Sequence, residues 1–208
     1  MSYTIEHYPT RWIDVWHLAD GRKVTVRPVR PQDAVLEQAL VRSLSPASRY
    51  QRVFSPIREL PAGWLHRLTQ IDYRLQQAFI VETFVGDQAL AVAEARYVVD
   101  ASGEECEFAV VVADDWQHLG LARRLMYSLL RSAAEAGLKR MVGDVLATNH
   151  AMLSLARSLG FRVLRHPDGG AQVHRVQRML DRPVQAELPA GTLSTAAAPS
   201  APPAWAAQ

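Results

Sequence analysis

The feature that most constrains the fold is an apolar run, Glu107–Ala113, that leads through a short polar turn into an amphipathic helix beginning near Gly120. The residues at 120 and 122 are small, so the backbone can approach a ligand closely there. The first amides of a helix lack intrahelical partners, and together with the helix dipole they favour an anion. This strand–turn–helix therefore suits a diphosphate, and its helical crossover predicts a parallel neighbour for the strand.

The rest of the pattern predicts a mixed sheet flanked by helices, an α/β (α+β) fold. Alternating or continuous apolar runs bounded by glycine turns are typical of strands, and apolar stripes at helical spacing indicate helices. The predicted strands are Lys23–Val29, Ala78–Val85, Ala89–Val98, Cys106–Ala113, Arg140–Val145, Phe161–Arg165 and Gln172–Leu180. The predicted helices are Pro31–Ser43, a segment from Ser45, Pro61–Gln70, the helix that Gly137 ends and Asn149–Leu159.

Composition narrows the class of protein. The chain has 208 residues and a net charge of +2, enough for one well-cored domain and without the basic stripe that nucleic-acid binding needs. Its seven histidines and single cysteine show no metal-ligand spacing. We expect a cytoplasmic protein without metal, membrane segment or signal peptide. Residues 1–20 are predicted to form an N-terminal arm or short strand, 21–182 the domain, and 183–208, rich in Ala and Pro, a disordered tail.

Two segments resemble the GNAT acyltransferases. The pattern Gln117-x-x-Gly120-x-Ala122 is similar to their acyl-CoA diphosphate loop, and Asn149 opens a helix that ends in Leu-Gly160-Phe161, like a second diagnostic segment of that family. Other nucleotide-binding signatures are absent. The alternative interpretation is a tight strand-to-helix connection in which Gly120 only relieves crowding. The resemblance implies the GNAT fold, a mostly antiparallel sheet with one splayed parallel strand pair.

The chain is also similar to a narrower group, the bacterial Pat-type protein lysine acetyltransferases. Their likeness lies in three stretches, Asp20–Asp33, Leu44–Leu60 and Thr69–Tyr73. The sequence departs from that group after Tyr73, where Arg74-Leu75-Gln76 replaces an Asp-Arg-Glu-like segment. The further domains that larger Pat proteins carry are not expected in 208 residues, so the resemblance does not carry over their regulation.

The GNAT resemblance implies acetyl-CoA as co-substrate and a set of residues that bind it. The valines would pair with the pantetheine arm through their backbone, and the turn and first helical turn would hold the diphosphate. The implied binding residues are Val110, Val111, Val112, Gln117, His118, Leu119, Gly120, Leu121, Ala122, Arg123 and Asn149. Arg123 could equally be an ordinary surface residue of the helix, and Asn149 an N-cap.

Glu107 is the candidate general base. A free lysine amine is almost wholly protonated at neutral pH, so a positioned carboxylate is valuable for acetyl transfer. Glu107 stands on an otherwise apolar strand, and partial burial there would raise its pKa. The alternative is a solvated residue that continues the acidic turn of Glu104 and Glu105, and Glu94 is the reserve base. Cys106 is expected to be a packed strand residue.

Three functions fit this pattern. The first is an acetyl-CoA-dependent N-acetyltransferase that transfers acetyl to a lysine ε-amine of a partner protein by direct attack in a ternary complex. The second is acetylation of a small amine. The third is a non-catalytic acyl-CoA sensor. The sequence does not fix the acceptor, the acyl chain or the oligomeric state.

Overall fold

A computed structural model of the chain describes residues 8–168 and 170–181. The predicted tail, residues 183–208, and the first part of the predicted arm, residues 1–7, lie outside the described ranges. None of the helices within these ranges combines the length and the apolar character that crossing a bilayer would require.

The strands are β1 Asp14–His17, β2 Lys23–Pro28, β3 Gln76–Val85, β4 Gln88–Val99, β5 Glu105–Val112, β6 Arg140–Leu146, β7 Arg162–Arg165 and β8 Val173–Met179. The α-helices are α1 Ala34–Ser43, α2 Pro46–Val53, α3 Ala62–Thr69, α4 Leu121–Glu135 and α5 His150–Ser158. Short 3₁₀ turns span Thr10–Trp12, Pro31–Asp33 and Asp114–Trp116. The predicted first helix therefore opens as a 3₁₀ turn, in which the Asp33 carboxylate binds the Arg30 amide and the buried Arg27 guanidinium.

In the described ranges the strands form one eight-stranded sheet in the order β1-β2-β3-β4-β5-β6-β8-β7. Every neighbouring pair is antiparallel except β5 and β6, which are parallel and joined through α4. The predicted α/β class, with a mostly antiparallel sheet and one parallel pair, is confirmed.

Helices cover both faces of the sheet. One face packs against α4, whose buried Leu121, Leu125 and Leu129 form the predicted apolar stripe. The opposite face carries α1, where Leu40 contacts a smaller apolar cluster that includes Ile80. β5 lies near the middle and alternates its side chains between these two cores.

The N-terminal segment takes part in the sheet. β1 pairs along its whole length with β2, from Asp14 opposite Val26 to His17 opposite Lys23. Trp12 and Trp16 are buried in the larger core, and the Trp12 ring lies 5.5 Å from that of Phe79. Aromatic burial of this kind fixes residues 10–18 against the domain.

The parallel strands β5 and β6 separate soon after they meet. Their register holds for only three pairs and ends with Glu107 opposite Val142. At the next position the Phe108 ring lies over Gly143, and a Cβ on that glycine would come within 2.6 Å of the ring. Phe108 also packs against Phe161, with ring centroids 5.3 Å apart. A buried aromatic ring therefore occupies the point where the two strands diverge.

Replacing Gly143 with alanine tests this packing. The added methyl group would overlap the buried Phe108 ring, so we expect G143A to lower the free energy of unfolding by about 1–3 kcal/mol. Chemical denaturation measures the change.

The matched control is Gly63→Ala, because a Cβ at Gly63 meets only the far end of Arg67 at 4.0 Å and the residue lies in α3. We expect G63A to be neutral or to stabilise by up to about 1 kcal/mol. Equal stability of G143A and the wild type would contradict the assigned role of Phe108.

Candidate active site

A cavity of about 670 Å³ lies where β5 and β6 separate. Its floor is β5 from Glu107 to Val112, one wall is the start of α4, and the far wall is β6 and α5, with Asp144 and Asn149. Residues of α2 and the following Phe54 form the remaining wall. The cavity brings together Glu107, the three valines and most of the predicted turn residues.

The turn before α4 presents unpaired amides to this cavity. Gly120 occupies the N-cap in the left-handed region, with φ of 83°, and no side chain in the described ranges caps it. The first helical hydrogen bond runs from the Arg124 amide to the Gly120 carbonyl, at 3.1 Å. His118 also has a positive φ, 63°, which a non-glycine residue rarely adopts. The amides of Leu121, Ala122 and Arg123 therefore have no intrahelical acceptor, an arrangement that favours an anion.

The backbone of β5 offers further groups to the cavity. The Ala113 amide donates to the Val92 carbonyl of β4, so residues of β5 at alternate positions, including Val111, turn their amides and carbonyls toward β4. Val110 and Val112 turn theirs toward the gap between β5 and β6. The Val112 carbonyl there accepts from the Gln117 side chain at 3.2 Å. Of the three predicted valines, two thus present backbone groups to the gap, and Val111 contributes its side chain.

Asp114 holds α2 against the end of β5. Its carboxylate accepts from the Ser45 amide at 2.9 Å and from the hydroxyls of Ser45 and Ser48, each at 2.8 Å. Burial alone would raise the pKa of Asp114, but these hydrogen bonds outweigh it and lower that pKa. The side-chain amide of Gln117 donates to the same Ser48 hydroxyl at 3.4 Å. Gln117 therefore positions the turn and α2, a role that the sequence pattern did not indicate.

Glu107 lies in β5, lines the cavity and is solvent-exposed. Loss of hydration against the cavity wall raises its pKa, the Asp144 carboxylate raises it further, and Arg175 partly offsets both. Asp144 is itself held by Arg175, at 2.9 Å, and by the His166 ring, at 3.2 Å. Glu107 is thus a carboxylate with a raised pKa that solvent can reach.

The reserve base, Glu94, is in a different environment. It is 1% exposed and is not among the residues that line the cavity. Its carboxylate binds Arg96 at 2.5 Å and Arg52 at 3.0 Å. Burial alone would raise its pKa, but the two guanidinium groups outweigh burial and lower it. Glu94 is therefore a buried structural anion, which pairs along the sheet with Val111.

Three other predicted residues have contacts within the protein. The Asn149 side chain caps α5 by accepting from the Met152 amide at 3.0 Å, and Asn149 also lines the cavity. Arg123 donates to the Ser158 hydroxyl at 2.9 Å, which ties the start of α4 to α5. Cys106 is fully buried on the α4 face of β5, and burial raises the pKa of its thiol to about 12.

Comparisons with known proteins identify the family of this chain. Residues 46–161 match the model of the acetyltransferase (GNAT) family. The chain belongs to that family. An acetyltransferase of Pseudomonas aeruginosa is 37% identical over 166 residues, which covers 79% of this chain and 88% of the relative.

Two solved structures illustrate the GNAT fold. The GNAT domain of S. lividans PAT is 28% identical with a TM-score of 0.75, covering 83% of this chain and 99% of that one. The acetyltransferase yncA from Salmonella typhimurium is 19% identical with a TM-score of 0.60, covering 77% and 95%. The resemblance to GNAT enzymes and to the Pat catalytic domain is confirmed. Within the described ranges, no group of three or more His, Cys, Asp or Glu side chains could hold a metal ion.

The Asp114 contacts generate a testable expectation for this GNAT domain. Asp114→Ala removes three hydrogen bonds that hold α2, whereas Asp115→Ala removes a neighbouring carboxylate without those contacts. We expect D114A to raise hydrogen exchange in Pro46–Val53 by about tenfold, because α2 has no buried residue to retain it. Exchange mass spectrometry of both variants provides the measurement, and equal protection of α2 in D114A and D115A would contradict the tether.

Proposed function

We propose that this protein is an acetyl-CoA-dependent N-acetyltransferase that acetylates the ε-amine of lysine in a partner protein. The observation that carries the proposal is one continuous cavity that joins the unpaired amides of the α4 turn to the exposed, raised-pKa carboxylate of Glu107. The yncA structure, which shares the fold, contains its cofactor acetyl-CoA.

The turn fits the diphosphate of coenzyme A. The amides from His118 to Arg123 would donate to its oxygens, because the left-handed Gly120 and His118 turn the backbone at this point and the dipole of α4 adds positive potential. The Arg123 guanidinium at the start of α4 adds a full positive charge nearby. Gln117 and Asn149 would keep the turn and α5 in position through their hydrogen bonds to Val112 and Met152.

The exposed backbone of β5 fits the rest of the co-substrate. Val110 and Val112 present amides and carbonyls to the gap, where the amide-rich pantetheine arm would lie, and the Val111 side chain would contact it. When bound, acetyl-CoA supplies an activated acetyl thioester. An amide such as that of Val110 would then stabilise the developing oxyanion, since a fixed dipole needs no reorganisation.

Glu107 would take the proton from the acceptor amine, directly or through one water molecule. The free amine nitrogen then bonds to the acetyl carbon, the carbon–sulfur bond breaks, and the sulfur departs as a thiolate that water can protonate. The raised pKa of Glu107 suits this task, because a base is most effective when its pKa lies near the working pH.

Direct attack is favoured over an acetylated cysteine intermediate. Cys106, the single cysteine, is fully buried on the face of β5 opposite to Glu107, and its thiol pKa of about 12 leaves almost no thiolate at neutral pH. Amine and thioester would therefore meet in one ternary complex.

A protein acceptor fits the site better than a free small amine. Glu107 is solvent-exposed, so an amine on a protein surface can reach it without entering an enclosed pocket. The neighbouring Asp144 carboxylate is paired with the Arg175 guanidinium and contacts the His166 ring, so the site has few unpaired carboxylates of the kind that would select a small polyamine.

Labelling of a cell lysate tests the function. With labelled acetyl-CoA, we expect the wild type to modify lysines and Glu107→Gln to lose turnover by two to four orders of magnitude, about the usual contribution of a general base. Calorimetry should show unchanged acetyl-CoA binding in E107Q. Glu104→Gln is the control, since Glu104 lies in the adjacent turn and pairs with Lys139 on the surface.

Each failure of this test has a distinct meaning. Normal turnover of E107Q would remove Glu107 from the mechanism. Cofactor binding without any labelled lysine, and without CoA release to small amines, would indicate a non-catalytic acyl-CoA sensor.

The pH dependence of the reaction follows from the same carboxyl group. Only ionised Glu107 can accept a proton, so kcat/KM should fall as the pH drops through its pKa. Because that pKa is raised, the acid limb should lie at a higher pH than for an ordinary glutamate. In E107Q the residual rate should lack this limb, and an identical limb in both enzymes would assign it to another group.

Gly120→Ala tests the diphosphate turn. A Cβ at Gly120 meets nothing within 4 Å, so the substitution should cost only the strain of a left-handed residue, about 1–2 kcal/mol of stability. Gly103→Ala is the matched control for this substitution, since Gly103 also has a positive φ, 73°, and equally open surroundings but lies in a remote turn.

We expect both variants to lose similar thermal stability, and only G120A to bind CoA about tenfold or more weakly by calorimetry. Equal CoA affinity in the two variants would place the diphosphate elsewhere.

A further inference from the structure

We propose that Phe54 contacts the unbranched methylene stem of the acceptor lysine and sets the chain length of amine that the enzyme accepts. This inference rests on the proposed function and names the part of the substrate that the α2 wall of the cavity recognises. Phe54 directly follows α2, lines the cavity and is 41% exposed.

The backbone of Phe54 adopts a strained conformation. Its φ of 52° and ψ of 25° lie in the left-handed region, where a bulky aromatic residue is a true outlier. Its amide closes the last turn of α2 by donating to the Tyr50 carbonyl at 2.8 Å. The chain thus ends α2 with an exposed aromatic ring at a position that glycine or asparagine would occupy more easily.

Contacts at both ends of α2 show where along β5 Phe54 lies. At the start of the helix, Ser45 and Ser48 bind Asp114, which follows the carboxyl end of β5. Near its end, Arg52 binds Glu94, which pairs with Val111 inside β5. The helix therefore runs back along β5 toward Glu107, and Phe54 lies beyond Arg52 on the side nearer to Glu107.

A second apolar side chain flanks the base. Val98 on β4 lies directly opposite Glu107 in the antiparallel ladder and is 46% exposed. Directly opposed residues of such a ladder place their side chains side by side on one face. Glu107 thus has an exposed apolar neighbour on β4 and shares the cavity with Phe54. An acceptor that complements this arrangement has an apolar stem and a terminal amine, which describes a lysine side chain.

A series of acceptor peptides tests the inference. Peptides that copy lysine sites mapped in the labelling experiment would carry lysine, ornithine or diaminobutyrate at the modified position, so that the stem shortens by one methylene at each step. We expect the wild type to favour lysine by about fourfold in kcat/KM per methylene, the value of one buried methylene group.

In Phe54→Ala we expect the KM for the lysine peptide to rise about tenfold with little change in kcat, because contact with the stem is the same in the ground and transition states. The preference among the three peptides should fall toward unity, and Phe54→Leu should restore most of it. The matched control is Tyr50→Ala, because Tyr50 lies on the same helix, is 46% exposed and does not line the cavity.

The outcomes separate the two proposals. A wild type that acetylates none of the lysine peptides would overturn the proposed function and this inference with it. A wild type that acetylates them, combined with an unchanged chain-length preference in both F54A and F54L, would overturn the role of Phe54 alone. A changed affinity for CoA in F54A would also count against it, because Phe54 is assigned only to the acceptor.

Discussion

The site depends on the separation of β5 and β6 beyond the pair formed by Glu107 and Val142. Two parallel strands that stayed paired would use the backbone groups of Val110 and Val112 in the sheet and leave no cavity between them. The Phe108 ring over Gly143 fills the space at the point of divergence. The same ring packs against Phe161, the residue that directly precedes β7. The free backbone of β5, the cavity and the access to the α4 turn all follow from this divergence.

Polar contacts hold the remaining wall of the cavity. No residue of α2 is buried, and the helix is attached through Ser45 and Ser48 to Asp114 and through Arg52 to Glu94. Directional hydrogen bonds fix the position of a helix without requiring an apolar face on it. The side of α2 that faces the cavity therefore need not be apolar for the helix to stay in place, and the helix leads into Phe54, which also lines the cavity.

Local patterns in the sequence were enough to predict the parts of this site that depend on neighbouring residues. Gly120 and the apolar run before it specify the turn, the strand and the start of α4, because backbone conformation and helix capping are decided within a few residues. The ties of Asp114 to Ser45 and Ser48 could not be predicted, since they join residues 69 and 66 positions apart. The sequence alone allows Asn149 to be either an N-cap or a ligand contact. In the structure its side chain accepts a hydrogen bond from the Met152 amide, as an N-cap does.

The two glutamates show why tertiary contacts must decide a catalytic assignment. Glu94 and Glu107 both stand on apolar strands. From the sequence alone, Glu107 is therefore only the candidate general base and Glu94 the reserve base. The fold places Arg52 and Arg96 against Glu94, which stabilises its anion and lowers its affinity for a proton. Loss of hydration raises the pKa of Glu107 most, and the Asp144 carboxylate raises it further. A general base must both reach the acceptor and bind its proton, so exposure and a raised pKa support the proposed role of Glu107, whereas burial and paired charge make Glu94 a structural anion that holds α2 in place through Arg52.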